Sequence, residues 1–487
     1  MRINSFIKFR AICCIIFFIP LLLYGQGYNH WTIQYGARSL LLGGNVVAGV
    51  RDFSAFYYNP GSSAFIPRSN ISIGATGYQL MNIFYNDGGG KGIDFKTQPF
   101  FQVPVMLGGV QKIGHNPKIG LTFGYFLMQR QGFSFVSSAR RNGENDIIPE
   151  PASGALFNEP YFADIYIRSQ RSELWGGVAL ALNIGENFGI GVCPTLAHRN
   201  VLEEVNDELS LVRENGTTGI YNRFVNFDYY HSRLFLKIGA ELKLKKMTVG
   251  LTAALPSFHL LGGGETRGKF SVSNLGPVLR DFTKNDLKLN LPIRYQTGLS
   301  IALGIEYPRK KSINYFCLHW FNRIPTYNIA QNTTLNLLPP TESPLSQSLT
   351  ENFPFYENHR HIVNIGYGRE MELSEKLSFI FSFRTDFSSV SPSQAKNFRY
   401  QFGAWDLLHS TVGFSIDKTN SNLSIGLTGA FGYTPTYSAT DLTNPAAYFF
   451  YNKRPEANVI IWGAGLVICY THITPLPDKK NRAELSR

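Results

Sequence analysis

Long runs that alternate between apolar and polar side chains recur along this chain, and they limit its fold more than any other feature. From Lys376 to Phe387 one face carries Leu377, Phe379, Phe381, Phe383 and Phe387, and the other carries Lys376, Ser378, Ser382, Arg384 and Asp386. From Leu423 to Tyr433 the apolar face is Leu423, Ile425, Leu427, Phe431 and Tyr433, set against Ser424, Gly426, Thr428, Ala430 and Gly432. Leu234, Leu236, Ile238, Ala240, Leu242 and Leu244 alternate with Arg233, Phe235, Lys237, Gly239, Glu241 and Lys243. Successive side chains of a strand point to opposite faces, so each run is a strand with one apolar face. A strand in a soluble sandwich averages roughly 5–6 residues. These runs reach the ~9–11 residues of a strand that crosses a bilayer.

The connections carry a second regularity. Short polar turns lie near 112–116, 185–187, 245–246, 308–310, 372–374 and 418–420, and long connections span 81–96, 131–170, 201–226, 261–292, 326–356, 389–403 and 435–456. Short and long alternate, as in an up-and-down barrel with tight periplasmic turns and long outer loops. The expected fold is all-β, a transmembrane antiparallel barrel of about fourteen strands. It occupies 70–472, with a polar tail at 473–487 and both ends of the barrel on the periplasmic side. Strands are expected over 70–80, 97–111, 117–130, 171–184, 187–200, 227–244 and 246–260, then over 293–307, 311–325, 357–371, 375–388, 404–417, 421–434 and 457–472. Residues 160–170 extend the fourth strand above the membrane.

Composition supports the same class. Only 16% of residues are charged, against 44% hydrophobic and 14% aromatic, whereas a soluble domain carries about 25% charge. Arg2, Lys8 and Arg10 precede an uncharged apolar stretch, Ala11 to Tyr24, that ends at Gly25. This reads as a signal peptide over 1–25, cleaved before Gln26. Cys13 and Cys14 stand at the start of the apolar run, where no lipid is attached. No later segment offers the ~18 consecutive apolar residues of a membrane helix. Cys193, Cys317 and Cys469 are too widely spaced for a metal site or a disulfide framework. The net charge of +12 falls to +9 when the signal's three basic residues leave with no acidic residue. In an exported chain the remaining cations suit anionic lipopolysaccharide and outer-membrane lipid, and nucleic acid is excluded as a partner.

Residues 26–69 do not alternate. They hold Gly36-Ala37-Arg38, Gly43-Gly44, Asp52-Phe53-Ser54 and Asn59-Pro60. About eight strands already close on a filled interior, so a larger barrel needs a plug. This segment, rich in glycine and aromatics, is the candidate. The motif resembles the N-terminal hatch of the FadL family, outer-membrane transporters of long-chain fatty acids whose relatives include channels for toluene and other hydrocarbons. The resemblance implies a barrel with an N-terminal hatch in the lumen. Its hatch residues are then Gly36, Arg38, Gly43, Gly44, Asp52, Ser54, Asn59 and Pro60. The PorV-like proteins of a protein secretion system share the same N-terminal pattern, so a secretion-system component with a protein partner stands as the alternative.

No motif for catalysis survives inspection. Gly263 to Lys269 approaches a phosphate loop, but Phe270 stands where Ser or Thr is required. It reads as a glycine-rich outer loop. His231-Ser232 and His409-Ser410 are adjacent on strands and point to opposite faces, and no nucleophile elbow is present. Glu173, Glu241, Glu306 and Asp386 read as lumen charges offset by Arg233, Lys237, Arg294 and Arg384. The chain is read as no enzyme, with no cofactor and no metal. Its expected function, implied by the resemblance, is passive uptake of a hydrophobic small molecule, such as a long-chain fatty acid or an aromatic hydrocarbon, across the cell outer membrane. Candidate capture residues are Phe133, Phe135 and Val136 above the third strand and Leu260 and Leu261 above the seventh. Glycine weakens strands, so Gly120 and Gly124 are a candidate wall opening.

Overall fold

Strands form wherever side chains alternate between the two faces, and in this chain that is almost everywhere after residue 69. The computed structural model describes residues 28–66, 69–98, 100–101, 106–113, 119–148, 158–276, 280–331, 335, 356–390, 404–450 and 453–473. The expected signal peptide and residues 474–487 of the expected tail lie outside the described residues. The strands are β1 (Asn70–Asn86), β2 (Phe95–Thr97), β3 (Phe100–Phe101), β4 (Met106–Ile113), β5 (Ile119–Asn145), β6 (Glu159–Ile184), β7 (Phe188–Val212), β8 (Thr218–Lys243), β9 (Thr248–Ala254) and β10 (Phe258–Ser273). They continue as β11 (Phe282–Pro292), β12 (Ser300–Arg309), β13 (Ser312–Phe321), β14 (Ile324–Asn328), β15 (Tyr356–His359), β16 (Ile362–Ser374), β17 (Leu377–Asp386), β18 (Leu407–Lys418), β19 (Ser421–Ser438) and β20 (Glu456–Ile473).

Neighbours in sequence are neighbours in the sheet, and the pairings are antiparallel. β2, β3 and β4 pair in turn with β1. β4 to β8 then form an unbroken series. β9 and β10 both pair with β8, β11 with β10, and β12 with β9 and β13. The series runs on from β13 through β16 to β20. The last strand pairs with the first, from Asn70↔Ile473 to Asn86↔Asn458. β14 and β15 form a separate small ladder.

On β8, Leu234 and Leu242 are exposed, while Arg233, Lys237 and Glu241 are buried. The apolar face therefore points outward and the polar face inward. Leu303, Leu318, Ile365, Val412, Leu427 and Ile468 continue the exposed apolar surface on other strands.

The long loops expected over 131–170 and 201–226 are corrected: most of this sequence is strand. β5 runs to Asn145, β6 starts at Glu159, β7 runs to Val212 and β8 starts at Thr218. Residues 160–170 do belong to the strand that follows them. The inward alternation persists in β7 through Val201, Glu203, Val205, Asp207 and Leu209, all buried. The outward residues there, Glu204, Asn206 and Glu208, are polar, because this part of the strand faces water. Arg171–Glu203 (2.7 Å) and Arg223–Asp207 ion pairs join the inward faces. Gly263 to Lys269 is likewise strand, within β10, and not a loop.

Candidate functional site

The N-terminal segment lies against the inner face of the sheet. Its secondary structure is short: a helix α1 (Ala37–Leu41), a helical turn α2 (Ala55–Tyr58) and a 3-10 turn over Pro60–Phe65. Its apolar side chains, among them Tyr35, Leu41, Phe53 and Phe56, share a buried cluster with Val110, Phe126 and Met128 of the sheet. A segment so short of regular structure must satisfy its backbone by other means. Asn59 does so on three sides. Its Nδ2 donates to the carbonyls of Val47 (2.7 Å) and Ala240 (2.9 Å), and its Oδ1 accepts from Gly61 N (3.0 Å). Pro60 then opens the 3-10 turn, where its missing N–H costs nothing. Asp52 accepts from Ser54 N (2.9 Å) and from the Ser54 hydroxyl.

Charge ties the segment to the sheet. Arg38 Nε donates to Glu370 (2.6 Å), and its guanidinium also reaches the Tyr315 hydroxyl. Arg51 pairs with Glu241 (2.8 Å) and Glu306 (3.4 Å). Asp386 accepts from Trp31 N (2.9 Å) and Thr32 Oγ1 (2.7 Å). Gly36, Gly43 and Gly44 have φ of 84°, 64° and 74°, a region that favours glycine. Two sheet glycines give the segment its seat: a Cβ on Gly250 would lie 2.0 Å from the Val47 carbonyl, and one on Gly304 2.7 Å from Ala48 N.

Between this segment and the sheet is a cavity. Trp31, Tyr57, Trp175, Phe235, Tyr295 and Phe321 supply aromatic walls, and Arg130, Lys237, Arg199, Arg233 and Glu173 supply charge. The charges are unequal. Glu173 is engaged by Arg233 (2.7 Å), Arg199 (3.3 Å) and the Trp175 indole N–H (2.5 Å). Arg199 and Arg233 also stack on the Tyr295 ring at 4.1 and 4.9 Å. Arg130 and Lys237 have no carboxylate within ion-pair distance among the described residues. Both are buried. Arg130 donates to the His30 carbonyl and lies over Trp175 (5.3 Å) and Tyr57 (5.7 Å). Lys237 donates to the Tyr57 carbonyl and lies 4.4 Å over the Tyr57 ring. Aromatic faces and carbonyls attract a cation without cancelling its charge. The cavity thus offers apolar surface beside two basic groups that no carboxylate touches.

The remaining sequence candidates are scattered. Phe135 is buried inside and meets Tyr85 edge-on at 5.1 Å. Val136, Leu260 and Leu261 are exposed on the outer face. The side chain of Phe133 lies outside what the structure describes. Gly124 faces Phe56, whose ring occupies the place of a Cβ. At Gly120 and Gly124, β5 is paired to Asn183 and Ala179 of β6. Arg130, Trp175 and Tyr295 were not singled out from sequence. For Arg130 and Trp175 the only signal there is a place in an alternating run; Tyr295 carries none, because Arg294 is the residue expected inward, whereas the chain leaves the strand at 294 and the structure exposes Arg294 and buries Tyr295.

Glu357 of β15, on the small ladder that β15 forms with β14 apart from the main sheet, is buried. Burial pushes its carboxyl up to about 7, against the pull of Arg199 and Arg171. The protonated form is thus favoured in the folded state. Its stabilisation is complete below the unfolded carboxylate range, near pH 4.5, and is lost as pH rises through about 7. Hydrogen exchange over 356–359 is expected to quicken across that window, and Glu357→Gln should abolish the change. An unaltered pH profile in the variant would exclude Glu357 as its origin.

An antiparallel ladder whose last strand pairs with its first, apolar outside and polar inside, with an N-terminal segment against its inner face, is an all-β architecture suited to crossing a membrane with strands. More particularly, the chain has the fold of two solved structures. A FadL homologue from Pseudomonas aeruginosa matches with a TM-score of 0.55 at 11% identity, over 91% of this chain and 99% of that one. The toluene transporter TodX of P. putida matches at 0.53 and 11%, with the same coverage. No protein-family model matches the chain. No curated protein matches it by sequence.

Proposed function

We propose that this chain is an outer-membrane barrel of fourteen strands that admits hydrophobic small molecules bearing a carboxylate, of which long-chain fatty acids are the type. The strand count follows from treating β2–β4, β9–β10, β11–β12, β13–β14 and β15–β16 each as one interrupted strand, and the β1–β20 ladder supports closure. Residues 26–69 act as the hatch, and 70–472 form the barrel. The observation that carries the function is the pair of buried basic groups, Arg130 and Lys237, set among aromatic walls with no carboxylate in ion-pair contact among the described residues. A neutral hydrocarbon would leave both charges unanswered. A carboxylate answers them, while its apolar chain covers Trp175, Tyr57 and Phe235. The similarity of the fold to that of a toluene transporter supports hydrophobic uptake in general. Movement is by diffusion, since an apolar molecule is held back by the polar sugars of the outer leaflet and not by hydrocarbon.

The test is a double substitution, Arg130→Gln with Lys237→Gln. A hydrogen bond to a charged group contributes about 1.5–3 kcal/mol, so losing both is expected to weaken oleate binding by at least roughly tenfold. Binding of the alcohol of equal length should change little. Equal loss for acid and alcohol, or no loss for either, would remove the anion from the reading.

A further inference from the structure

The short turns close the sheet at one end, and two of them differ from the rest in charge. The turn between β8 and β9 holds Lys245 and Lys246, and Arg309, Lys310 and Lys311 stand where β12 turns into β13. All five are exposed, and neither turn contains an acidic residue. The nearest carboxylates in sequence, Glu241 and Glu306, are engaged by Arg51. β9 pairs with β12 from Thr248↔Glu306 on, so the two hairpins are neighbours and their turns lie two strand spacings apart, about 10 Å. Of the other short turns, that at 114–118 lies outside the described residues. The remaining three are not basic: Glu186 stands at 185–187, Glu372 and Glu375 with Lys376 at 372–376, and Asp417 with Lys418 at 417–420. Among the described turns, positive charge is gathered in one sector of the rim.

The apolar outer surface ends at the same place. Leu242 and Leu244 close the exposed apolar run of β8, and Lys245 follows at once. On β12, Leu303 and Tyr307 are exposed by a parity that Arg309 shares, and the Arg309 guanidinium lies 5.6 Å over the Tyr307 ring. Leu251 of β9 and Phe316 of β13 continue the surface beside them. Tyrosine is enriched where hydrocarbon gives way to headgroups, and Lys and Arg rest their stems on apolar surface while the charge stays in water. Five like charges on adjacent hairpins repel one another, and an anionic head set among them relieves that repulsion. An apolar wall bordered by such a cluster therefore fits an amphiphile with a negative head. On the orientation expected from the turn lengths, this rim faces the periplasm, and the amphiphile there is a phospholipid of the inner leaflet.

We propose that the turns at 245–246 and 309–311 form a headgroup site for an anionic phospholipid, whose acyl chains lie along Leu244, Leu251, Leu303 and Tyr307. The site is on the outer surface, apart from the inner cavity, and does not depend on what that cavity admits.

The test is lipid retention by the purified protein in detergent, read by native mass spectrometry, with phosphatidylglycerol and phosphatidylcholine of equal chain length supplied in equal amounts. One variant carries Lys245→Gln, Lys246→Gln, Lys310→Gln and Lys311→Gln. A second removes the same charge at the other end of the sheet, through Lys91→Gln, Lys96→Gln, Arg140→Gln and Arg141→Gln, all exposed positions. Heat-modifiable migration on a gel checks that each variant assembles. Basic residues at an anionic membrane surface add their attractions, so wild type is expected to retain phosphatidylglycerol at least roughly tenfold over phosphatidylcholine. The turn variant should lose that preference, and the second variant should keep it within twofold. Equal retention of the two lipids by wild type, an undiminished preference in the turn variant, or equal loss in both variants overturns the site. Wild type that retains neither lipid but binds polyglutamate through the same four lysines assigns the turns to an acidic protein, and overturns the site as well.

Discussion

Deletion of residues 27–53 should convert the protein into an open pore whose strands still assemble. On the proposed count of fourteen strands, the wall encloses more than its own side chains fill, because about eight already close on a filled interior. In this molecule Tyr35, Leu41, Val46, Val50 and Phe53 fill that space. Without them, water enters. The inward carboxylates that lose partners, Glu370, Asp386, Glu241 and Glu306, then meet water and not a dry interior, which lowers the cost of their charge. The ladders themselves draw no backbone partner from the deleted segment beyond the Asn29↔Ser388 bridge. Conductance in planar bilayers and swelling of liposomes in small sugars should both rise, on the order of tenfold or more, for an interior wider than eight strands fill. Wild-type conductance in an assembled deletion variant would mean that the segment is no hatch.

Arg51→Ala should loosen the same segment by a single side chain. Glu241 is fully buried and serves as a common anchor: Arg51 pairs with it, Gly49 N donates to it at 3.1 Å and the Ser62 hydroxyl donates to it. Breaking a buried pair from one side costs about 3–5 kcal/mol, because the remaining charge is left uncompensated. Arg51 keeps 29% of its side chain exposed, which favours the lower end of that range. The expected result is protease cleavage within residues 28–66 and a partial rise in conductance. Adding Glu241→Gln removes the stranded charge and should recover part of the protection. If the second substitution worsens the defect additively, the two residues act independently and the anchor is misassigned.

The N-terminal segment was legible in sequence because Gly36, Gly43, Gly44 and Asn59-Pro60 interrupt a chain that otherwise alternates. Strand faces were legible for the same local reason: on β8 the parity that sets Leu234 outward sets Arg233 and Lys237 inward. The turn near 185–187 shows the same legibility, with β6 ending at Ile184 and β7 beginning at Phe188. Strand ends at the long connections were not legible. The signal for a membrane strand is an apolar outward face, and at Glu204, Asn206 and Glu208 that face meets water while the ladder continues.

What the sequence determined by itself was periodicity, and with it the all-β class, the two faces and the segment that obeys neither. The tertiary structure decided which inward residues meet. Arg130 on β5 and Lys237 on β8 converge on one cavity only because ladder register sets them at the same height. Arg51 finds Glu241 across 190 residues because the N-terminal segment lies against the inner face of the sheet. Likewise Arg294 N donates to Ile329 O (2.8 Å) on one neighbour and to no backbone carbonyl of β10 on the other. A strand's own side chains specify its faces, but a backbone hydrogen bond is chosen between two competing neighbours, and that choice exists only in the assembled sheet.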